Sequence, residues 1–130
     1  MTSRILVDTN ILLWSIFDVH LSPDNKALLE NAEEVYVSCV SLLEIRIKQE
    51  FGQLPLFDAI ENTGKMSFAI LPFSASQAGH YQLHDPSNKD PFDNALISIA
   101  VNENLQLMTS DKAILTANIN GLVVIDASRQ

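Results

Sequence analysis

Arg4-Ile5-Leu6-Val7-Asp8-Thr9-Asn10 decides how the chain folds, because a short apolar run halts there on a carboxylate. A strand with no polar alternate is buried on both faces, as central strands of parallel sheets are. Four more runs share this character: Val35 to Val40, Ala69 to Pro72, Leu105 to Thr109 and Leu122 to Ile125. Between them lie helical signals. Ser22-Pro23-Asp24 reads as an N-cap with Pro at the first helical position, and helices are expected over Ser41 to Phe51, Leu56 to Met66, Ser74 to Leu83 and Pro91 to Asn102. The alternation predicts an α/β fold, a parallel or mostly parallel sheet of about five strands with helices on both faces. Ligands of such sheets bind outside the carboxyl ends of the strands.

At 130 residues the chain suits one compact domain with a single sizeable core. It is 47% hydrophobic and 18% charged, too apolar for a disordered chain. No apolar stretch approaches the roughly 18 residues of a spanning helix, and Met1 to Val7 lacks the longer apolar segment of a signal peptide. Cys39, the one cysteine, sits in an apolar run and is expected as a buried, reduced thiol, in keeping with a cytoplasmic protein. The 16 Asp and Glu against 8 Lys and Arg leave a net charge of −8, the wrong sign for holding nucleic acid mainly through a basic surface. A nuclease survives that test, since metal ions and a local basic patch can do at a site what net charge does not.

The positions of the acids carry more than their number. Asp8 ends the first strand, where it can also cap the next helix. Glu44 follows the second, in Ser41-Leu42-Leu43-Glu44; this is a capping-box pattern, and Lys48 stands four residues on as an ion-pair partner. In Lys89-Asp90-Pro91-Phe92-Asp93, Asp90 is the natural N-cap. Asp93 falls inside the apolar arc of the helix that follows, between Ala100 and Ile97, where an unpaired carboxylate costs several kcal/mol. No Lys or Arg in that helix compensates it, which leaves a bound cation or the helix dipole. Asp111 follows the fourth strand, with Ser110 before it and Lys112 after; Ser110 or Asp111 can cap the next helix. Four acids converging on one sheet edge call for divalent cations, and all-oxygen ligands suit Mg²⁺ or Mn²⁺.

Other signals are weaker. His80 and His84 have i, i+4 spacing without a His-Glu-x-x-His motif and read as a solvent-facing pair. No Gly-rich phosphate loop occurs. Ile11 to Phe17 has hardly a polar face and serves either the core or a partner interface.

Taken together, Val7-Asp8-Thr9-Asn10, Ser41-Leu42-Leu43-Glu44-Ile45 with Ile47-Lys48 and Gly52-Gln53-Leu54-Pro55, Lys89-Asp90-Pro91-Phe92-Asp93 and Thr109-Ser110-Asp111 resemble the PIN-domain nucleases, among them the VapC-type toxins of bacterial toxin–antitoxin pairs. The resemblance runs nearly the whole chain, so that residues 1–130 read as a single PIN-like domain. Leu43 stands where the family often has an aromatic residue, and Asn94 where a basic one is common.

The resemblance implies a twisted parallel sheet in a three-layer fold. It also implies a ribonuclease whose Asp8, Glu44, Asp93 and Asp111 hold Mg²⁺ or Mn²⁺ for hydrolysis of RNA. Thr9, Asn10 and Ser110 would steady these ligands, and Arg46, Lys48 and Lys112 would meet phosphates. An antitoxin placing a peptide in the cleft, and a homodimer, are implied as well. Two other folds that place acids at strand ends fit less well. A response-regulator receiver wants an adjacent acidic pair after its first strand and a phosphoacceptor after its third, where this chain has Asp8-Thr9-Asn10 and Pro72-Phe73-Ser74. A haloacid-dehalogenase-type enzyme wants a second Asp where Asn10 stands. A non-catalytic signalling or RNA- or protein-binding domain is the alternative function.

Overall fold

The computed structural model of the chain describes residues 3–84 and 86–128. In order it contains β1 (Arg4–Val7), α1 (Thr9–Phe17), α2 (Pro23–Asn31), β2 (Glu34–Ser38), α3 (Cys39–Glu50), α4 (Ala59–Lys65), β3 (Ala69–Leu71), α5 (Ala75–Gly79), α6 (Pro91–Glu103), β4 (Gln106–Thr109), α7 (Lys112–Thr116) and β5 (Val123–Asp126). The strands form one parallel sheet in the order β3-β2-β1-β4-β5. This is the expected α/β architecture. Receiver domains have the order 2-1-3-4-5 instead.

β1 is central because it can be buried on both sides. Successive side chains of a strand point to opposite faces, and here Leu6 joins one core with Leu96, Ile97, Ile99 and Leu107, while Ile5 and Val7 join another with Ile11, Leu12, Val37 and Ile45. α6 thus covers one face of the sheet, and α1 with α3 covers the other. The order also fixes where a site can form. Connections from β1 proceed to β2 and β3 on one side, and the chain then crosses to β4 and β5, so the crevice between the carboxyl ends of β1 and β4 is the switch point.

Several boundaries differ from those expected from sequence. The run Val35 to Val40 is a strand only to Ser38, whose buried hydroxyl accepts from the Val40 N–H at 3.0 Å and starts α3 at Cys39. Cys39 is therefore half-buried on a helix rather than sealed inside a strand. Helix α4 begins at Ala59 and not Leu56: Gln49 Nε2 holds the carbonyls of Pro55 and Phe57 at 3.0 and 3.2 Å, and Asp58 caps the helix. Helix α5 ends at Gly79, well short of Leu83, since Gln82 is tied to Ser98 of α6. His80 and His84 consequently share no helix face.

The apolar stretch of α1 goes mostly inward. Ile11 and Leu12 are fully buried, Leu13, Trp14 and Ile16 pack against the same core, and Phe17 emerges to meet Phe57 edge-on. Among the described residues, no helix is long and apolar enough to cross a membrane.

The layering predicts unequal tolerance along the sheet. Leu107→Ala, on β4 in a fully buried position, is expected to cost about 3 kcal/mol, whereas Val123→Thr on the exposed edge strand β5 should cost under about 1 kcal/mol. Urea denaturation midpoints of the two variants check this.

Candidate active site

The crevice between β1 and β4 collects the acids. Asp8 follows β1 directly, and its backbone N–H donates to the Met108 carbonyl of β4 at 3.1 Å. Its side chain does two jobs. Oδ1 accepts from the Ile11 N–H at 2.8 Å, capping α1, while Oδ2 accepts from the Thr109 hydroxyl at 2.5 Å. Thr109 in turn accepts from the Asp111 N–H at 3.0 Å, so one fully buried hydroxyl fixes both acids of the crevice. Asp111, whose Oδ1 accepts from the Ala113 N–H, is the cap of α7; Ser110 is not.

Glu44 reaches the crevice from α3. The capping box expected with Ser41 is not formed, because the cap of α3 is Ser38, three residues earlier, and Ser41 is already inside the helix. Instead, Thr9 donates to Glu44 Oε1 at 2.6 Å, Ser41 Oγ lies 3.0 Å from the same hydroxyl, and Lys48 Nζ stands 2.9 Å from Oε2. Asp93 comes from the first turn of α6. Asp90 caps that helix through the N–H groups of Phe92 and Asp93, and Asn88 Nδ2 donates to Asp93 Oδ2 at 3.1 Å.

Asp8, Thr9, Asn10, Glu44, Lys48, Asp90, Asp93 and Asp111 line one polar cavity of about 140 Å³. All four acids singled out in the sequence are therefore together. Two of the three cations expected at phosphates are elsewhere. Arg46 stands two residues from Glu44 on α3, roughly 200° around the helix, and pairs with Glu50 on another face. Lys112 is exposed on α7 and, like Ser110, does not line the cavity. Larger recesses exist, but the chemistry is not in them; the one between α3 and α4, about 570 Å³, is walled mainly by Leu42, Ile45, Leu56, Phe57 and Ile60.

Asn88, Asn94 and Thr109 were not singled out from sequence. Asn94, fully buried, donates from Nδ2 to the carbonyls of Asn88 and Asp90 at 2.7 and 3.1 Å and so holds the turn that carries Asp93's donor. A buried amide four residues after a capping Asp is the signal that could have found it.

Burial drives the electrostatics. It pushes the Asp8 carboxyl up to about 6 against the hydrogen bonds from Thr109 and Ile11, with the charges of Asp93 and Asp111 adding to the rise. Asp93 is likewise pushed up to about 6 by desolvation, opposed by Asn88 and reinforced by Asp90, Asp111 and Glu44. The donor set, all carboxylate oxygen with amide and hydroxyl support, fits a hard divalent cation. Among the described residues no three His, Cys, Asp or Glu side chains stand at metal-ligand spacing.

A PIN-domain family model matches residues 5–119, and the chain belongs to that family. Solved structures with the same fold include the DNA-bound VapBC of Salmonella typhimurium (19% identity, 97% of this chain and 98% of that one, TM-score 0.66) and a toxin–antitoxin complex from Klebsiella pneumoniae (21%, 97% and 99%, TM-score 0.64). Mycobacterium tuberculosis VapC20, a toxin that cleaves the sarcin–ricin loop, is also similar (15%, 92% and 98%, TM-score 0.54). A comparison with curated proteins gives no match.

The raised carboxyls set a pH dependence for the metal-free protein. The folded chain keeps protons on Asp8 and Asp93 that the unfolded chain releases near pH 3.8, so these two groups remove stability as pH rises from about 4 to 6. Asp8→Asn should match the wild type at pH 4 and exceed it by about 3 kcal/mol at pH 7.5. Denaturation in EDTA across that range checks the crossing.

Proposed function

We propose that the chain is a metal-dependent endoribonuclease that hydrolyses RNA phosphodiester bonds, as the VapC-type toxin of a toxin–antitoxin pair. One observation carries the reading: Asp8 and Asp93, far apart in sequence and brought into one cavity, face only neutral donors among the described residues, and the charge of Asp93 bears on Asp8. Two carboxylates about 4 Å apart repel by roughly 4 kcal/mol at an effective dielectric of about 20, and a divalent cation converts that repulsion into binding. Membership in the PIN family and the likeness to toxin–antitoxin structures support the same reading.

Asp8 and Asp93 are assigned as the principal ligands of Mg²⁺ or Mn²⁺, with Glu44 and Asp111 completing the site directly or through water. When bound, the ion supplies water activation and stabilises charge on the scissile phosphate and the leaving 3′ oxygen. Thr109 holds Asp8 in a fixed rotamer, Thr9 does the same for Glu44, and Asn88 for Asp93, so the carboxylates need little reorganisation on binding. Asp90 shapes the entry of α6 and Asn10 lines the rim. VapC20's action on the sarcin–ricin loop supports structured RNA as the substrate class. An antitoxin partner that places a peptide in the acidic cleft belongs to this reading, supported by the likeness to toxin–antitoxin structures. A homodimer and a cytoplasmic site of action belong to the same reading.

Labelled RNA incubated with purified protein should be cut in Mg²⁺ or Mn²⁺ and not in EDTA. Asp93→Asn should lose roughly 10²-fold or more of the rate, the several kcal/mol of charge stabilisation an ion provides. An Asp8→Asn, Asp93→Asn double variant that still cuts would expose a contaminating nuclease. Absence of cutting together with absence of any metal-induced rise in thermal midpoint would favour the non-catalytic binding domain. Co-expression with the neighbouring reading frame should yield a co-purifying partner.

A further inference from the structure

The acidic cavity has a cation of its own. Lys48, one turn along α3 from Glu44, places Nζ 2.9 Å from Oε2, while the Thr9 hydroxyl holds Oε1. Both oxygens of Glu44 thus have donors within the chain. The glutamate side chain is 9% exposed, which separates this pair from surface ion pairs that contribute little.

The other side of the cavity is different. Asp8 receives a hydroxyl and a backbone N–H, and Asp93 an amide; among the described residues neither has an ammonium or guanidinium partner. Lys48 is the only Lys or Arg among the described residues that line the cavity. A divalent cation entering it is drawn to the uncompensated carboxylates and is repelled from Glu44 by the charge already there.

We infer that Lys48 is a positioning residue standing where a second ion would bind, so that the cavity takes one divalent cation, held directly by Asp8 and Asp93, while Asp111 and the Lys48-paired Glu44 reach it only through water. The inference rests on the metal-dependent reading of this site. It also assigns Lys48 a role distinct from phosphate contact, because its ammonium is directed at a carboxylate before any substrate arrives.

Titration of Mn²⁺ into the full-length protein by calorimetry, with electron paramagnetic resonance of the bound ion, reads stoichiometry without RNA. The wild type is expected to bind one ion per chain with an uncoupled spectrum. Lys48→Gln and Lys48→Met, which remove the charge at a partly exposed position, should each bind two, with a spin-coupled spectrum. Lys48→Arg, which keeps the charge, should return to one. Two ions in the wild type, or one in every protein, overturn the assignment. If RNA is cut in a metal-dependent way by a wild type that holds two ions, only the role of Lys48 is lost; if no protein binds an ion, the metal-dependent reading falls with it.

Discussion

The hydrogen bond from Thr109 to Asp8 joins residues 101 positions apart, at the point where the two central strands run out of apolar side chains. It crosses the switch point of the sheet, so the same topology that buries β1 on both faces aims its terminal carboxylate into a crevice. The parallel pairing of β1 with β4 holds the two ends level, with Val7 opposite Met108. From there the hydroxyl of Thr109 can serve Asp8 and receive the Asp111 N–H at once. Asp8 and Asp111 are thereby referenced to one rigid element rather than to two loops.

Keeping five carboxylates in so small a space is a constraint on everything around them. An unpaired buried carboxylate is costly, and the chain meets that cost in two ways. Glu44 is given a cation and a hydroxyl. Among the described residues Asp8 and Asp93 receive neutral donors only, which orient them without cancelling their charge, and burial holds both carboxyls well above their ordinary range. The N-terminus of α6 adds a favourable field at Asp93, yet desolvation outweighs it. A protein built for stability alone would have filled this crevice with apolar residues. That it retains acids held in place by Thr9, Thr109 and Asn88 is what directs the reading toward a ligand.

The sheet was legible because parallel central strands need apolar residues on both faces, and Ile5-Leu6-Val7 and Leu107-Met108 have them. The acids were legible because they sit one or two residues beyond such strands, or, for Asp93, because a carboxylate interrupts an apolar arc. What could not be read were partners distant in sequence. Thr109 looked like the end of a strand and Asn94 like a departure from a family pattern; their roles depend on residues brought near by folding. Boundaries failed where a side chain overrode propensity, as Ser38 does by capping α3 within an apolar run, and Gln49 by holding residues 55–57 out of α4. Arg46 failed through helix phase: nearness in sequence to Glu44 put it on the opposite side of α3.

The net charge of −8 takes on a different meaning with the site in view. Five carboxylates and one ammonium line the cavity, so part of the acidic excess is concentrated where a divalent cation would offset it. The remainder is spread over surfaces with few cations, and of the three expected at phosphates only Lys48 is at the cavity, already engaged. Long-range attraction to a polyanion is therefore weak, and counterion release, which needs several lysines or arginines against phosphates, has little to work with. On the proposed reading, recognition of RNA would come from short-range contacts around the cavity and from an ion bound within it. Discrimination between RNAs would then rest on how closely a given backbone could approach that ion, a matter of substrate shape more than of charge.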